Sequence, residues 1–246
     1  MTAPAQSAAT DTLLAVRDLN VFFGESHILQ GVSFGVRRGG ITGLLGRNGV
    51  GKTTTLRGIL GMVTRTGSVV FDGAETTRLP THEIVRRGVA YVPEDRDVFA
   101  GLTVEENLRL AERAGAPLRY DLVYELFPEL KQRGAQKAGT LSGGQQQMVA
   151  LARALLNGDN RILLVDEPTK GLAPLVVRHV VDALRRAAEA TTILLVEQNL
   201  SVAHSLVRDV VVLDQGRVSF TGDVDQLMGD PALARKHLGL AAAGSH

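Results

Sequence analysis

Over residues 46–54 the chain reads GRNGVGKTT, which places glycines, a lysine and two threonines in the spacing G-x-x-x-x-G-K-[ST]. Such glycines let backbone N–H groups wrap phosphate oxygens without side-chain collision, and a helix starting there points its positive end at them. Gly46, Arg47, Asn48, Gly49, Val50, Gly51, Lys52, Thr53 and Thr54 are therefore expected to hold nucleotide phosphates. Lys52 would bring a point charge to the β and γ phosphates, and the Thr53 hydroxyl would ligate magnesium. A glycine-rich strand-to-helix turn with no ligand is the bland alternative.

Two other stretches end an apolar run on polar residues. In ILLVDEP, residues 162–168, apolar residues bury a strand and deliver Asp166 and Glu167 to its carboxyl end, where ligands bind in a parallel sheet. Asp166 is expected to hold magnesium, directly or through water, and Glu167 to polarise an attacking water. Taken alone, the pair could simply cap a strand. TTILLVEQN, residues 191–199, stops its apolar run at Glu197, Gln198 and Asn199, so the facing of Gln198 becomes a question. LSGGQ, residues 141–145, precedes a helical pattern. Ser142 is a good N-cap, and Gly143 and Gly144 expose backbone donors at the helix start, a second place in the chain that suits an anion.

Elements that could position these residues follow from the pattern. LLAVRDLNVFFG and HILQGVSFGV alternate like half-buried strands and predict an antiparallel start. From Ile41 the style changes: ITGLLG is a short buried strand, GKTTTLRGILG a helix, SVVFDG and GVAYVP strands. TVEENLRLAERAG and DLVYELFPELKQRG read as helices of leucine periodicity, interrupted by Pro117 and Pro128. Downstream, LSGGQQQMVALARALL and LVVRHVVDALRRAAEA read as helices, and RILLVDE, TTILLVEQN and DVVVLDQGRVSFTG as strands. Repeated βα units with unbroken apolar strands predict an α/β fold around a mostly parallel sheet.

Composition narrows the partners. The 246 residues carry a formal net charge of +1 with acidic and basic residues interspersed, which argues against a broad nucleic-acid footprint. There is no cysteine, hence no disulfide and no thiol-ligated metal. No apolar stretch approaches the roughly 18 residues that span a bilayer, and MTAPAQSAATDT lacks a signal core. The expectation is a soluble, cytoplasmic chain.

LSGGQ with QQMVALARALL, set beside the phosphate loop and ILLVDEP, resembles the nucleotide-binding subunits of ATP-binding cassette (ABC) transporters, from Leu13 to about Leu227. The resemblance implies a P-loop NTPase of the ABC ATPase type, with a mostly parallel core sheet, an antiparallel β subdomain and a helical subdomain. On that basis residues 1–11 form a disordered start and residues 12–240 a single ATPase domain. Residues 95–157, approximately, are the inserted helical subdomain, and residues 241–246 a tail. The resemblance also implies ATP and Mg2+, and a head-to-tail homo- or heterodimer with a second ABC ATPase subunit. In that dimer Ser142, Gly143, Gly144 and Gln145 close on the partner's ATP.

Other roles carry over by position. Phe23 stands where the family stacks an aromatic ring on adenine, with Phe22 competing for the role. Glu94 replaces a common glutamine near metal and water; a carboxylate can still ligate magnesium but adds negative charge beside Glu167. Gln198 stands where many members have a γ-phosphate-sensing histidine; its amide can donate to phosphate but cannot become charged. Lys52, Glu167 and Gln198 are thus the expected catalytic group. Ala173, ending KGLA, replaces an aspartate that contacts the partner subunit.

GRNGVGKTTTL, VPEDRDVFAGLTVEENL, LFPEL, DEPTKGLAP and LLVEQN together resemble the ATPase subunits of importers for branched-chain and other hydrophobic amino acids. The implied partners are transmembrane permease subunits and, indirectly, an extracytoplasmic substrate-binding protein, with no nucleic acid. The implied place is peripheral, on the inner face of the plasma membrane. A urea or short-amide importer is the nearest alternative, and a non-transport ABC regulator a more distant one. Val98, Phe99 and Leu102 form either a socket for a permease helix or part of the core.

Overall fold

The computed structural model describes residues 11–238. The tail expected over residues 241–246 and the disordered start expected over residues 1–11, except Asp11, lie outside the described residues. The chain forms two compact units, one from the segments up to Arg86 and from Leu194 onward, the other from Arg87–Ile193.

The first unit opens with strands β1 (Thr12–Phe23) and β2 (Ser26–Arg37), followed by β3 (Ile41–Leu45) and helix α1 (Lys52–Ile59). Strands β4 (Arg65–Phe71) and β5 (Ala74–Glu75) and helix α2 (Thr81–Arg86) complete its first segment. β1 and β2 pair antiparallel, as their alternation predicts, and the sheet order is β2-β1-β4-β5. β1 buries Leu14 and Val16, then Leu19 and Val21, so its inward face changes from even to odd positions. Register shifts between Val16 and Leu19 against β2, and between Arg17 and Asn20 against β4, absorb the extra residue. Asp18 takes φ 48° there, and its N–H donates to Ser33 Oγ at 2.8 Å. A bulge of this kind keeps both halves of a long strand facing the core.

The second unit begins with β6 (Val89–Val92) and helices α3 (Val104–Arg109), α4 (Tyr120–Leu126), α5 (Pro128–Gln132) and α6 (Gly143–Leu155). Strand β7 (Ile162–Asp166) and helix α7 (Pro174–Ala187) follow, and the chain leaves this unit within β8 (Thr192–Glu197). β6 and β7 run parallel, Val89 opposite Ile162 and Val92 opposite Val165. Every residue of β7 is buried, each large aliphatic contributing roughly 1.5–3 kcal/mol. α6 buries Met148, Val149, Leu151 and Leu155 and packs on α3, α7 and β6.

Back in the first unit, helix α8 (Leu200–Leu206), strands β9 (Asp209–Asp214) and β10 (Arg217–Asp223), and helices α9 (Val224–Gly229) and α10 (Pro231–Leu238) close the described chain. The strand order here is β10-β9-β3-β8, with β9 parallel to β3 and antiparallel to β10. Parallel pairs in both units, expected from the βα alternation, and a separate antiparallel sheet make the P-loop NTPase architecture that the resemblance implies. Among the described residues no helix is long and apolar enough to cross a membrane.

One helix differs from expectation. The pattern TVEENLRLAERAG predicts a helix over residues 103–115, but α3 ends at Arg109. Its start is well specified, since Thr103 and Glu106 form a reciprocal capping box. Its end is set from outside: the Asn157 side chain accepts the Arg113 N–H at 2.9 Å and donates to the Ala111 carbonyl at 2.7 Å. Those backbone groups would otherwise extend the helix. Strand β5 and helix α2 are further elements that the sequence pattern leaves undefined.

Candidate functional site

The phosphate-loop sequence connects β3 to α1 in the first unit, the strand-to-helix context its motif requires. Gly46 takes φ 146°, and a Cβ there would meet the Leu213 carbonyl oxygen at 2.4 Å, so only glycine fits. Arg47, Asn48 and Gly49 form the exposed crest, Val50 is half-buried, and Gly51 takes φ 106° directly before the helix. Lys52 is 4% exposed, and its ammonium donates to the Gly46 and Arg47 carbonyls at 2.9 and 3.0 Å. The lysine is therefore drawn over its own loop rather than extended into solvent. Thr53 and Thr54 are half-buried on the first turn of α1, while Thr55 is buried with its hydroxyl bonded to the Gly51 carbonyl.

In the second unit, Asp166 ends β7 with no exposed surface, and the Tyr91 hydroxyl lies 3.4 Å from its Oδ2. Glu167 follows at φ 43° and is 7% exposed. A left-handed, non-glycine residue costs about 1–3 kcal/mol unless its surroundings hold it, and such residues cluster at functional sites. Here it turns the chain sharply after the strand, leaving a carboxylate at the strand's carboxyl end. Lys170, three residues on, reaches two carboxylates: Glu94 Oε1 at 2.5 Å and Glu167 Oε2 at 3.3 Å. The hydrogen bond that it donates to Glu94, joined by the charge of Glu167, raises the lysine above its ordinary range. The charge conflict expected between Glu94 and Glu167 is thus met by a cation.

At the end of β8, the Glu197 carboxylate is 2% exposed and accepts the backbone N–H groups of Gln198 and Asn199, both at 3.0 Å. Asn199 in turn caps α8 by accepting from Ser201 and Val202. The Gln198 side chain is exposed on a backbone held from both sides.

Ser142 caps α6 in a capping box: its Oγ accepts the Gln145 N–H at 3.3 Å, and Gln145 Oε1 accepts the Ser142 N–H at 3.1 Å. The amide of Gln145 also donates to Glu129 Oε2 at 3.0 Å, so this side chain holds the helix start to α5. Gly144 is buried, and a Cβ there would lie 2.6 Å from Val176 Cγ1 of α7, while Gly143 sits under the Arg96 guanidinium. These glycines thus serve close packing. Ala173 is the N-cap of α7 and gives that helix no side-chain acceptor. Phe22 and Phe23 are 47% and 49% exposed, and Phe22 stacks on His27 with ring centroids 4.0 Å apart.

Sequence reasoning missed Lys170 and Tyr91 as partners of the acidic groups, and Glu197 as the acceptor that holds the turn after β8. Glu197 carried a signal, a carboxylate directly after an apolar strand, whereas the Lys170 pair with Glu94 joins positions far apart in the chain.

Each unit thus carries donors of its own. The loop before α1 has backbone amides and a buried ammonium suited to phosphate, and its path is fixed at Gly46, where a Cβ would strike the Leu213 carbonyl oxygen. In the second unit, Asp166 and Glu94 carry hard oxygen donors of the kind magnesium takes, as does the Thr53 hydroxyl in the first.

Comparison with known proteins agrees with this chemistry. The family model described as ABC transporter matches residues 29–170. The high-affinity branched-chain amino acid transport ATP-binding protein BraG of Pseudomonas aeruginosa is 39% identical over 235 residues, covering 92% of this chain and 100% of that protein. A probable branched-chain amino acid transport ATP-binding protein LivF of Archaeoglobus fulgidus is 40% identical over 223 residues, 88% of this chain and 94% of that one. A solved ATP-binding subunit of an ABC transporter superposes with a TM-score of 0.77 at 31% identity, covering 90% of this chain and 94% of that structure. On this agreement of motif, fold and near-full-length similarity, the chain belongs to the ABC transporter family, as one of its ATP-binding domains.

Proposed function

We propose that this chain hydrolyses ATP to power uptake of branched-chain or other hydrophobic amino acids through separate membrane permease subunits. The observation that carries the substrate class is the similarity to BraG along the whole length of that protein. It is supported by Glu94 and Gln198, which depart from the commoner family residues and lie in VPEDRDVFAGLTVEENL and LLVEQN, stretches that resemble the importer ATPases.

In this reading residues 12–240 act as one ATPase domain, with residues 95–157 as its helical part. Phe23 stacks on adenine, and Gly46, Arg47, Asn48, Gly49, Val50, Gly51, Lys52, Thr53 and Thr54 take the phosphates. Thr53, Asp166 and Glu94 would hold Mg2+, and Glu94 is also paired with Lys170. When bound, the ion neutralises charge on the β and γ oxygens. Glu167 accepts a proton from water as that water attacks the γ phosphorus, the bond to the bridging oxygen breaks, and ADP and phosphate leave. Gln198 donates a hydrogen bond to a γ-phosphate oxygen.

Ser142, Gly143, Gly144 and Gln145 serve the ATP of a second subunit in a head-to-tail dimer, and the permeases hold the pair at the inner face of the membrane. An extracytoplasmic binding protein delivers the substrate, which never touches this chain. Phe99, 48% exposed, belongs to the surface that meets the permease.

The test is reconstitution of this chain with its partner ATPase, its permease subunits and its binding protein in proteoliposomes, following labelled leucine. ATP-dependent uptake that stops with Lys52→Ala is expected. ATP-dependent uptake of urea instead of leucine would overturn the substrate class.

A further inference from the structure

Lys170 stands between two carboxylates whose coexistence otherwise needs an explanation. Its ammonium lies 2.5 Å from Glu94 Oε1 and 3.3 Å from Glu167 Oε2. The two acids come from different elements, Glu94 from the segment after β6 and Glu167 from the turn after β7. Glu167 is nearly buried, whereas the Glu94 and Lys170 side chains are 35% and 51% exposed. The lysine is placed by its own backbone too, since its N–H donates to the Glu167 carbonyl at 3.2 Å.

The Glu94 segment is held independently of that contact. Arg96, at φ 66°, covers Gly143 of the α6 start, and Arg153 of α6 donates to the Asp97 carbonyl at 2.6 Å. Phe99 is fixed through its backbone to the buried Asn107, by bonds of 2.9 and 3.0 Å, and its ring packs under Arg153. Glu94 is therefore presented on a braced segment. Without a cation its charge would stand against Glu167 and against any polyphosphate brought near.

We infer that Lys170 is a positioning residue for hydrolysis: its ammonium holds Glu94 and Glu167 together and offsets the charge that Glu94 adds. This rests on the reading of Glu167 as the base. Lys170 does not touch the reacting atoms; it acts by setting the carboxylate that does. Small displacements of a reacting group lower turnover while leaving ground-state binding nearly intact.

The test is MgATP hydrolysis by the full chain. Lys170→Met should lower kcat by about tenfold with KM for ATP within about twofold. Lys170→Arg, which keeps the charge, should recover most of that loss. Glu94→Gln placed in the Lys170→Met background should also recover activity, because it removes the charge left uncompensated. A merely structural lysine would not show rescue by a second substitution that forms no new contact with it. A Lys170→Met variant with unchanged kcat, or a double variant as slow as the single, would overturn the proposal. Glu167→Gln assayed alongside separates the two failures. Full activity there removes Glu167 as the base, whereas an inactive Glu167→Gln with a fully active Lys170→Met removes Lys170 alone.

Discussion

The buried carboxylate of Glu197 accepts the backbone N–H of Gln198 at 3.0 Å, so a buried acid sets the stance of an exposed amide. The same oxygen takes the Asn199 N–H, and Asn199 caps α8, which makes the three residues one unit. Gln198→Ala keeps this backbone and removes only the amide. It should slow turnover by about tenfold or more while shifting ATP affinity much less, as expected for a contact strengthened in the transition state. Steady-state kinetics with an independent nucleotide-binding titration decide it, and equal losses in both would contradict the role. Glu197→Ala should instead cost about 2 kcal/mol of stability through its two orphaned donors, read from urea unfolding.

Ala173 at the N-cap of α7 is a local weakness. Its carbonyl accepts the Val177 N–H at 3.0 Å, but no side chain serves the remaining first-turn donors. Ala173→Asp should stabilise the chain by about 1 kcal/mol through an N-cap bond and the helix dipole. Urea midpoints compared at neutral pH test this, and an unchanged or lower midpoint would show that the turn cannot accept the cap.

Glu75 links β5 to β4. Burial pushes its carboxyl upward, but hydrogen bonds from the Ser68 and Thr77 hydroxyls and from the Thr77 and Val69 N–H groups outweigh that and hold it at about 2. A folded-state value below the unfolded one contributes stability that is complete above pH 4.5 and lost as pH falls towards 2. Glu75→Gln should therefore be less stable than the parent at neutral pH, with the gap closing through that window. Unfolding midpoints measured across it would refute the assignment if the gap stayed constant.

The parts of the site that were legible share a local cause. β3 and β7 are unbroken apolar runs, and an apolar run followed by glycines or acids announces both a buried strand and the edge where polar groups emerge. The α6 start was legible because Ser142 and Gln145 cap each other within one turn. What escaped depends on partners distant in sequence. Asn157 stops α3 by taking backbone groups of Ala111 and Arg113, and no periodicity within residues 103–115 records that. Lys170 read as one residue of a loop until the fold brought Glu94 to it. The resemblance implies Gln145 at the partner's ATP; within the chain its side chain is bonded to Ser142 and Glu129, a use that spacing alone does not reveal.

Hydrolysis with Glu167 as the base is the central claim, and Glu167→Gln reaches it most directly. The substitution preserves size and removes the proton acceptor, so ATP should bind with affinity close to that of the parent while kcat falls by about 10²–10⁴. Measured on the full chain with MgATP, that separation of binding from turnover is the predicted result. A Glu167→Gln chain that hydrolyses ATP at the parental rate would contradict the account.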